Sequence, residues 1–292
     1  MSNAALERMI VAPDERRRAV LDVIDSARER LALSLFRCND DSVLNALGAA
    51  VRRGVRVRVL VTGRAKGSKQ QLKQLRRFLR NLGADVRRYS DPVVRYHAKY
   101  IVVDDGPAVI ASLNFTRKCF EATCDFLMVS TDGALVTGLT DLFGADWDAR
   151  QYQSADAPDG RLIVGPQQAR RRFAALIEQA ARRIRLIDPK VTDPAMLRLL
   201  RAREAQGIAV EIRGQTGLGS LVPHGKLLMI DDAAAVIGSI ALSTLALEFR
   251  RELAVVTRDE RSLNVLDSFW NSLPAIGSCG ASASISRAEP VR

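Results

Sequence analysis

Hydrophobic and polar positions alternate most cleanly in Val55-Arg-Val-Arg-Val-Leu-Val61, which predicts a half-buried strand. Ile208-Ala-Val-Glu-Ile-Arg213 shows the same alternation. A glycine, Gly54 or Gly207, precedes each strand and stops an amphipathic helix. Ahead of that helix lie a short strand and an earlier helix in both places. Asp14 and Asp40 or Asp41 are the expected N-caps of the first pair of helices. The likeness is positional: a shift of 153 carries Ile24 onto Ile177, Leu31 onto Ile184 and Gly54 onto Gly207. Further along the shift becomes 127, and His97-Ala-Lys99-Tyr-Ile-Val-Val-Asp104 falls on His224-Gly-Lys226-Leu-Leu-Met-Ile-Asp231. The same shift carries Ser112 onto Ser239 and Asp125 onto Glu252. The pattern predicts two copies of one α/β unit, with helices on the sheet faces.

The two shifts differ by 26 positions, which places an insertion in the first copy, about 62–95. It is expected to form a basic helix over 69–82 and a strand near Val86, where the second copy has only the loop 214–223. The expected organisation is a first repeat over 1–153, a second over 161–273, and a disordered tail over 274–292. Trp147 and Trp270 mark the matching terminal helices. Two such copies pack naturally about a pseudo-twofold axis, with a site at their interface. A single chain then completes that site, so a monomer is expected to suffice.

Composition narrows the class. With 292 residues, 47% of them hydrophobic, the chain has material for a sizeable core. Its longest uncharged apolar stretch, Ala233–Leu247, is short and broken by Gly238, Ser239, Ser243 and Thr244, so no membrane span is predicted. The first residues, Met1–Asp14, lack the basic and apolar regions of a signal peptide. A cytoplasmic protein is expected, with peripheral attachment to a membrane as an option. Four cysteines are too few for a disulfide scaffold. Cys119 and Cys124 read as structural thiols and not as zinc ligands. Gly214–Gly219 precedes a strand rather than a helix, so it is no dinucleotide loop, and no cofactor or metal is expected.

The chain has only two histidines, and they occupy equivalent places in two otherwise diverged copies. In each copy a lysine follows two positions later, on the same side of an extended segment. Brought together about a twofold, two lysines supply fixed charge for a phosphate. Two imidazoles supply a nucleophile and a general acid. Ser112, Asn114 and Ser239 are candidates to donate hydrogen bonds to the same anion. Asp125 and Glu252 are candidates to orient the imidazoles.

His-x-Lys-x4-Asp, followed by a small residue, Ser and Asn, resembles the signature of the phospholipase D superfamily, and both copies carry it. The resemblance implies a metal-independent phosphodiesterase that forms a covalent phosphohistidine. It implies His97 as nucleophile, His224 as acid and then base, and Lys99 and Lys226 as clamps on the non-bridging oxygens. Asp104 and Asp231 take the place of the motif aspartates, which in the family are mostly structural. Three positions depart from the pattern: Ala111 where Gly is preferred, Asp125 in place of Glu, and Ala241 in place of the Asn that Asn114 represents. An asymmetric site follows, in which the first copy holds the phosphate more tightly.

Charge bears on the substrate. Lys plus Arg number 44 against 33 acids, a net charge of +11. Ten basic residues lie between Arg64 and Arg95, against only Asp85 and Asp91. Such a segment suits an anionic phospholipid surface or a nucleic-acid backbone. Phospholipid head-group hydrolysis or transfer is the favoured reading, and a nuclease is the alternative. A non-catalytic anion-binding module is the third. Arg117 and Lys118 are weaker candidates for substrate contact, and Phe115 and Phe120 read as core.

Overall fold

The computed structural model of the chain describes residues 6–63, 69–152 and 160–274. Its first half runs β1 (Glu7–Ile10), α1 (Pro13–Ser26), β2 (Arg30–Leu35), α2 (Asp41–Arg52), β3 (Arg56–Val61), α3 (Lys69–Asn81), β4 (Asp85–Arg88), β5 (Arg95–Tyr96), β6 (Tyr100–Val103), β7 (Ala108–Ala111), α4 (Arg117–Glu121), β8 (Thr123–Cys124), β9 (Leu127–Ser130) and α5 (Gly133–Trp147). The second half runs β10 (Leu162–Val164), α6 (Ala169–Glu178), β11 (Arg183–Ile187), α7 (Pro194–Ala205), β12 (Ala209–Arg213), β13 (Val222–Pro223), β14 (Lys226–Ile230), β15 (Ala234–Gly238), α8 (Thr244–Phe249), β16 (Arg250–Arg251), β17 (Leu253–Thr257) and α9 (Glu260–Ser272).

Each half builds one mixed sheet. The first has the order β1-β9-β7-β6-β2-β3-β4 and the second β10-β17-β15-β14-β11-β12. Strand for strand the order is the same, with β4 added at one edge. The insertion supplies that strand and α3, as its polarity pattern predicts. Arg64 and Lys66 of the basic segment, and the expected tail beyond Pro274, lie outside the described residues.

The runs Tyr100–Val103 of β6 and Leu227–Ile230 of β14 are apolar because both faces of these strands are covered. In β6, Ile101 and Val103 point into a core with α1 and α2, while Tyr100 and Val102 point into a second core. In β14, Leu228 and Ile230 pack beneath α6 and α7, and Leu227 and Met229 share the second core with Tyr100. That shared core lies between the two sheets and includes Leu139, Trp147, Leu266 and Trp270 of α5 and α9. It joins the repeats about the pseudo-twofold.

Helix ends follow the sequence closely. Asp40 caps α2, its carboxylate accepting from the Val43 amide. Gly54 and Gly207 have φ of 88° and 87°, the left-handed conformation that ends a helix without a Cβ penalty. Asp14 is not the cap of α1. Pro13 already starts that helix, its ring fixing φ and removing an N–H that would lack a partner. Ala12 is therefore the N-cap, and Asp14 sits inside the first turn.

Two very short pairings tie the halves together. β5 runs parallel to β16, with Arg95 opposite Arg250 and Tyr96 opposite Arg251. β13 runs parallel to β8, with Val222 opposite Thr123 and Pro223 opposite Cys124. Each joins the approach to one histidine with the approach to the acidic residue of the other repeat.

Candidate active site

His97 is the first residue after β5, and its amide donates to the Arg251 carbonyl at 2.9 Å. Glu252 is the first residue after β16. The pairing therefore delivers His97 to Glu252, and Nδ1 lies 3.1 Å from Oε1. His224 follows β13 and Asp125 follows β8, and His224 Nδ1 lies 2.9 and 3.0 Å from the two Asp125 oxygens. Each imidazole is held by the carboxylate of the opposite repeat. In both, Nε2 is left as the ring nitrogen for chemistry. Gly225 makes the second crossing possible: a Cβ there would stand 2.7 Å from the Cys124 carbonyl and 2.9 Å from the Asp125 Cα.

The lysines turn back onto the same loops. Lys99 is 1% exposed. Its ammonium donates to the His97 carbonyl at 2.6 Å and lies 3.3 Å from His97 Nε2. Lys226 donates to the His224 carbonyl in the same way. Phe36 walls the first half-site, edge-on to the His97 ring at 4.6 Å and 5.5 Å from the Lys99 ammonium. Burial, and then the neighbouring Lys99 charge, press the His97 imidazole down to about 3, so it stands neutral at ordinary pH. Burial lowers Lys99 to about 7, with Lys226 adding like-charge repulsion and Glu252 opposing it. The two half-sites therefore share one electrostatic environment.

Both acids are fully buried. Burial raises the Asp125 carboxyl, but bonding to His224, Ser112 and Thr123 outweighs it and holds the group below the usual range. Glu252 behaves alike: burial pushes it up, and His97, Lys99 and Arg250 pull it below its ordinary value.

The expected phosphate ligands divide. Asn114 Nδ2 lies 3.4 Å from His224 Nε2, and its Oδ1 is buried without a hydrogen-bond partner. Ser112, by contrast, donates to Asp125 at 2.6 Å and accepts from the Phe126 amide. Ser239 donates to the Leu253 carbonyl at 3.3 Å and accepts from the Leu253 amide at 3.2 Å. Both hydroxyls have protein partners: Ser112 fixes an acid and Ser239 fixes the strand beside one. At the equivalent position Ala241 is buried and carries no donor, so the second half has no counterpart to Asn114 there. Asp104 and Asp231 each accept three backbone amides, from Arg28, Glu29 and Arg30 and from Ala181, Arg182 and Arg183. They hold turns in the left-handed region, with φ of 44° and 52°.

Other contributors carry no signal in the repeat. Arg16 on α1 is fully buried, and its guanidinium donates to the carbonyls of Val11, Cys119, Thr123 and Asp125 at 2.5 to 3.2 Å. It anchors the segment that carries Asp125, yet its counterpart at a shift of 153 is Ala169. Thr123 donates to Asp125 at 2.5 Å. Phe36 and Arg250 are ordinary residues until the fold brings them to His97 and Glu252. Cys119, expected to lack partners for a metal, has its Sγ within 4.8 Å of both Asp125 and His224, although the Asp125 oxygens are already engaged by hydrogen-bond donors. Arg117 pairs with exposed Asp41 at 3.1 Å. Phe115 and Phe120 are core, as expected.

Residues 20–147 match the family model described as "Cardiolipin synthase, PLD-like domain". Cardiolipin synthase A of Pseudomonas entomophila is 28% identical over 159 residues, 54% of this chain and 33% of that protein. The chain thus spans about a third of the length of that relative. A phospholipase D of Rickettsia bellii is 25% identical over 155 residues, 53% of this chain and 73% of that one. Among solved structures, a polyphosphate kinase from Porphyromonas gingivalis superposes with a TM-score of 0.72 at 17% identity, over 90% of this chain and 46% of that one. A phosphatidylserine synthase from Haemophilus influenzae gives 0.67 at 12% identity, over 92% and 86% of the two chains; these two likenesses concern the fold alone. With two His-x-Lys half-sites interlocked across a duplicated sheet, the chain carries a PLD-like domain over residues 20–147 and a second half-site of the same pattern in its other half.

Proposed function

We propose that this chain is a metal-independent phosphodiesterase that acts on phospholipid head groups through a phosphohistidine intermediate. The observation that carries the reading is the pair of imidazoles, each with Nδ1 on a buried carboxylate of the other repeat and Nε2 beside a side-chain nitrogen, Lys99 Nζ at 3.3 Å in one and Asn114 Nδ2 at 3.4 Å in the other. His97, kept neutral by burial and by Lys99, attacks phosphorus through Nε2 while Glu252 takes up the growing positive charge. The P–O bond to the leaving group breaks as His224 delivers a proton from Nε2, its Nδ1 held on Asp125. His224 then removes a proton from water or an alcohol, whose oxygen displaces His97 from phosphorus. Lys99, Lys226 and Asn114 balance the non-bridging oxygens as charge develops there.

A lipid substrate is supported by the cardiolipin synthase family match. The alternative, a nuclease, is supported by the basic run of the insertion. Both are tested by incubating the protein with mixed phospholipids and, separately, with plasmid and oligonucleotides, all in EDTA. Head-group release or transfer is expected. Cleavage of nucleic acid alone would overturn the lipid reading, and inertness towards an activated phosphodiester would leave an anion-binding module.

A further inference from the structure

Several exposed apolar side chains lie on the segments that lead into the site. Among the described residues the exposed large hydrophobics are Leu6, Phe78, Val93, Val222, Leu245 and Phe249. Val93 stands four residues before His97, Val222 two before His224, and Phe249 three before Glu252. Leu245 is on the same short helix as Phe249. The parallel register of β5 and β16 puts Arg95 opposite Arg250. The segments that enter these strands, ending in Val94 and Phe249, therefore arrive side by side at the His97 half-site.

Beside Val93 lies an open cavity of about 580 Å³ lined by Arg80, Arg87, Arg88, Arg95, Tyr89 and Pro92. Its one acid, Asp91, is occupied: the carboxylate accepts from the amides of Val93 and Val94 at 2.8 and 2.6 Å. Arg87 pairs with Asp148 at 3.6 Å, and among the described residues no carboxylate lies within 4.0 Å of Arg88 or Arg95. A second cavity of about 480 Å³ shares Arg80 and Arg87 and adds Arg58, which packs on Trp147 at 5.4 Å. The second repeat shows what a compensated face looks like. There Arg183 and Arg185 pair with Asp232 and Asp267, and Arg213 faces Glu211.

We infer that the rim formed by the 89–94 loop, β5 and the α8–β16 junction docks on an anionic phospholipid bilayer, with Val93 and Phe249 entering the acyl boundary and the neighbouring arginines on lipid phosphates. This rests on the lipid reading of the site and adds to it the surface that presents the site to its substrate. Charge chooses an anionic layer over a neutral one. The apolar side chains choose a bilayer over a nucleic-acid backbone, which offers them nothing to enter.

The test is co-sedimentation of the full chain with vesicles of phosphatidylcholine alone or mixed with phosphatidylglycerol. Binding is expected only with phosphatidylglycerol, and weaker at high salt. The double substitution Val93→Ser with Phe249→Ser is expected to lower vesicle affinity about tenfold. Arg88→Gln with Arg95→Gln is expected to lower it about tenfold or more. All four sites are exposed or at the rim, and thermal melting reports that the variants remain folded. Wild-type affinity in the Val93/Phe249 variant, or equal binding to neutral vesicles, would overturn the inference. So would a shift with duplex DNA, unaffected by those substitutions, from a chain that ignores vesicles. Sedimentation reads docking without turnover. Vesicle binding without head-group chemistry sinks the substrate reading alone, and hydrolysis of a monomeric short-chain lipid without vesicle binding sinks the docking rim alone.

Discussion

Exchange of acids between the repeats has a kinetic consequence that an alkyl and a p-nitrophenyl phosphodiester can separate. Asp125 is 99 residues from His224 in the chain, yet it is the acceptor for its Nδ1. Asp125→Asn removes the buried charge that supports the protonated ring. A hydrogen bond to a charged partner contributes about 2–3 kcal/mol, or roughly 30- to 150-fold in rate. That loss falls on proton delivery, so it is expected in full for an alkyl alcohol, which leaves only when protonated. It shrinks for p-nitrophenolate, which leaves as an anion. Glu252→Gln weakens attack by His97, and attack is common to both substrates, so it is expected to slow both equally. The assay is kcat/KM for each variant on each diester. Equal leaving-group sensitivity in the two variants would refute the division of labour. Sensitivity in Glu252→Gln alone would reverse the roles of the histidines.

The remaining predictions test the surroundings. Because burial lowers Lys99 to about 7, its charge is present below that pH and lost above it. kcat/KM should fall on the alkaline side of neutrality, and Lys99→Arg should move that fall upward. The same burial makes Lys99 costly to the fold. Lys99→Met should abolish activity but raise the melting temperature, most below pH 7, with the advantage fading as pH rises towards the ordinary 10.5. Arg16→Ala strips donors from four carbonyls and should cost about 3–5 kcal/mol in denaturant unfolding. Gly225→Ala should push the His224 loop off Asp125 and lower turnover, whereas Ala98→Gly at the equivalent place, which asks for no closer approach, should leave turnover within a few-fold; equal effects at the two sites would count against the close-packing argument.

Much of this was legible in the residues. The period-2 strand at Val55–Val61, the stop at Gly54 and the basic helix of the insertion follow from local physics, and the structure contains them. So does the duplicated His-x-Lys block, because both copies must build the same half-site. What local pattern cannot show is which copy supplies each partner. The strands that cross between the repeats are two residues long, too short to print a periodicity. Nor does local pattern show that the Ser112 hydroxyl donates to Asp125 and that of Ser239 to the Leu253 carbonyl. Arg16 was invisible because its role, bonding carbonyls more than 100 residues away, has no counterpart in the second repeat. Asp14 has the residue type of a cap without the position, because Pro13 sets where α1 begins.

In the proposed reaction His97 forms a covalent bond to phosphorus. Rapid acid-free quenching of the protein during turnover of an activated phosphodiester, followed by peptide mass analysis, tests it directly. A substrate-derived phosphoryl adduct is expected on the peptide bearing His97, accumulating further in His224→Ala, where water is no longer activated. An adduct on His224, or turnover with no adduct on either histidine, would contradict it.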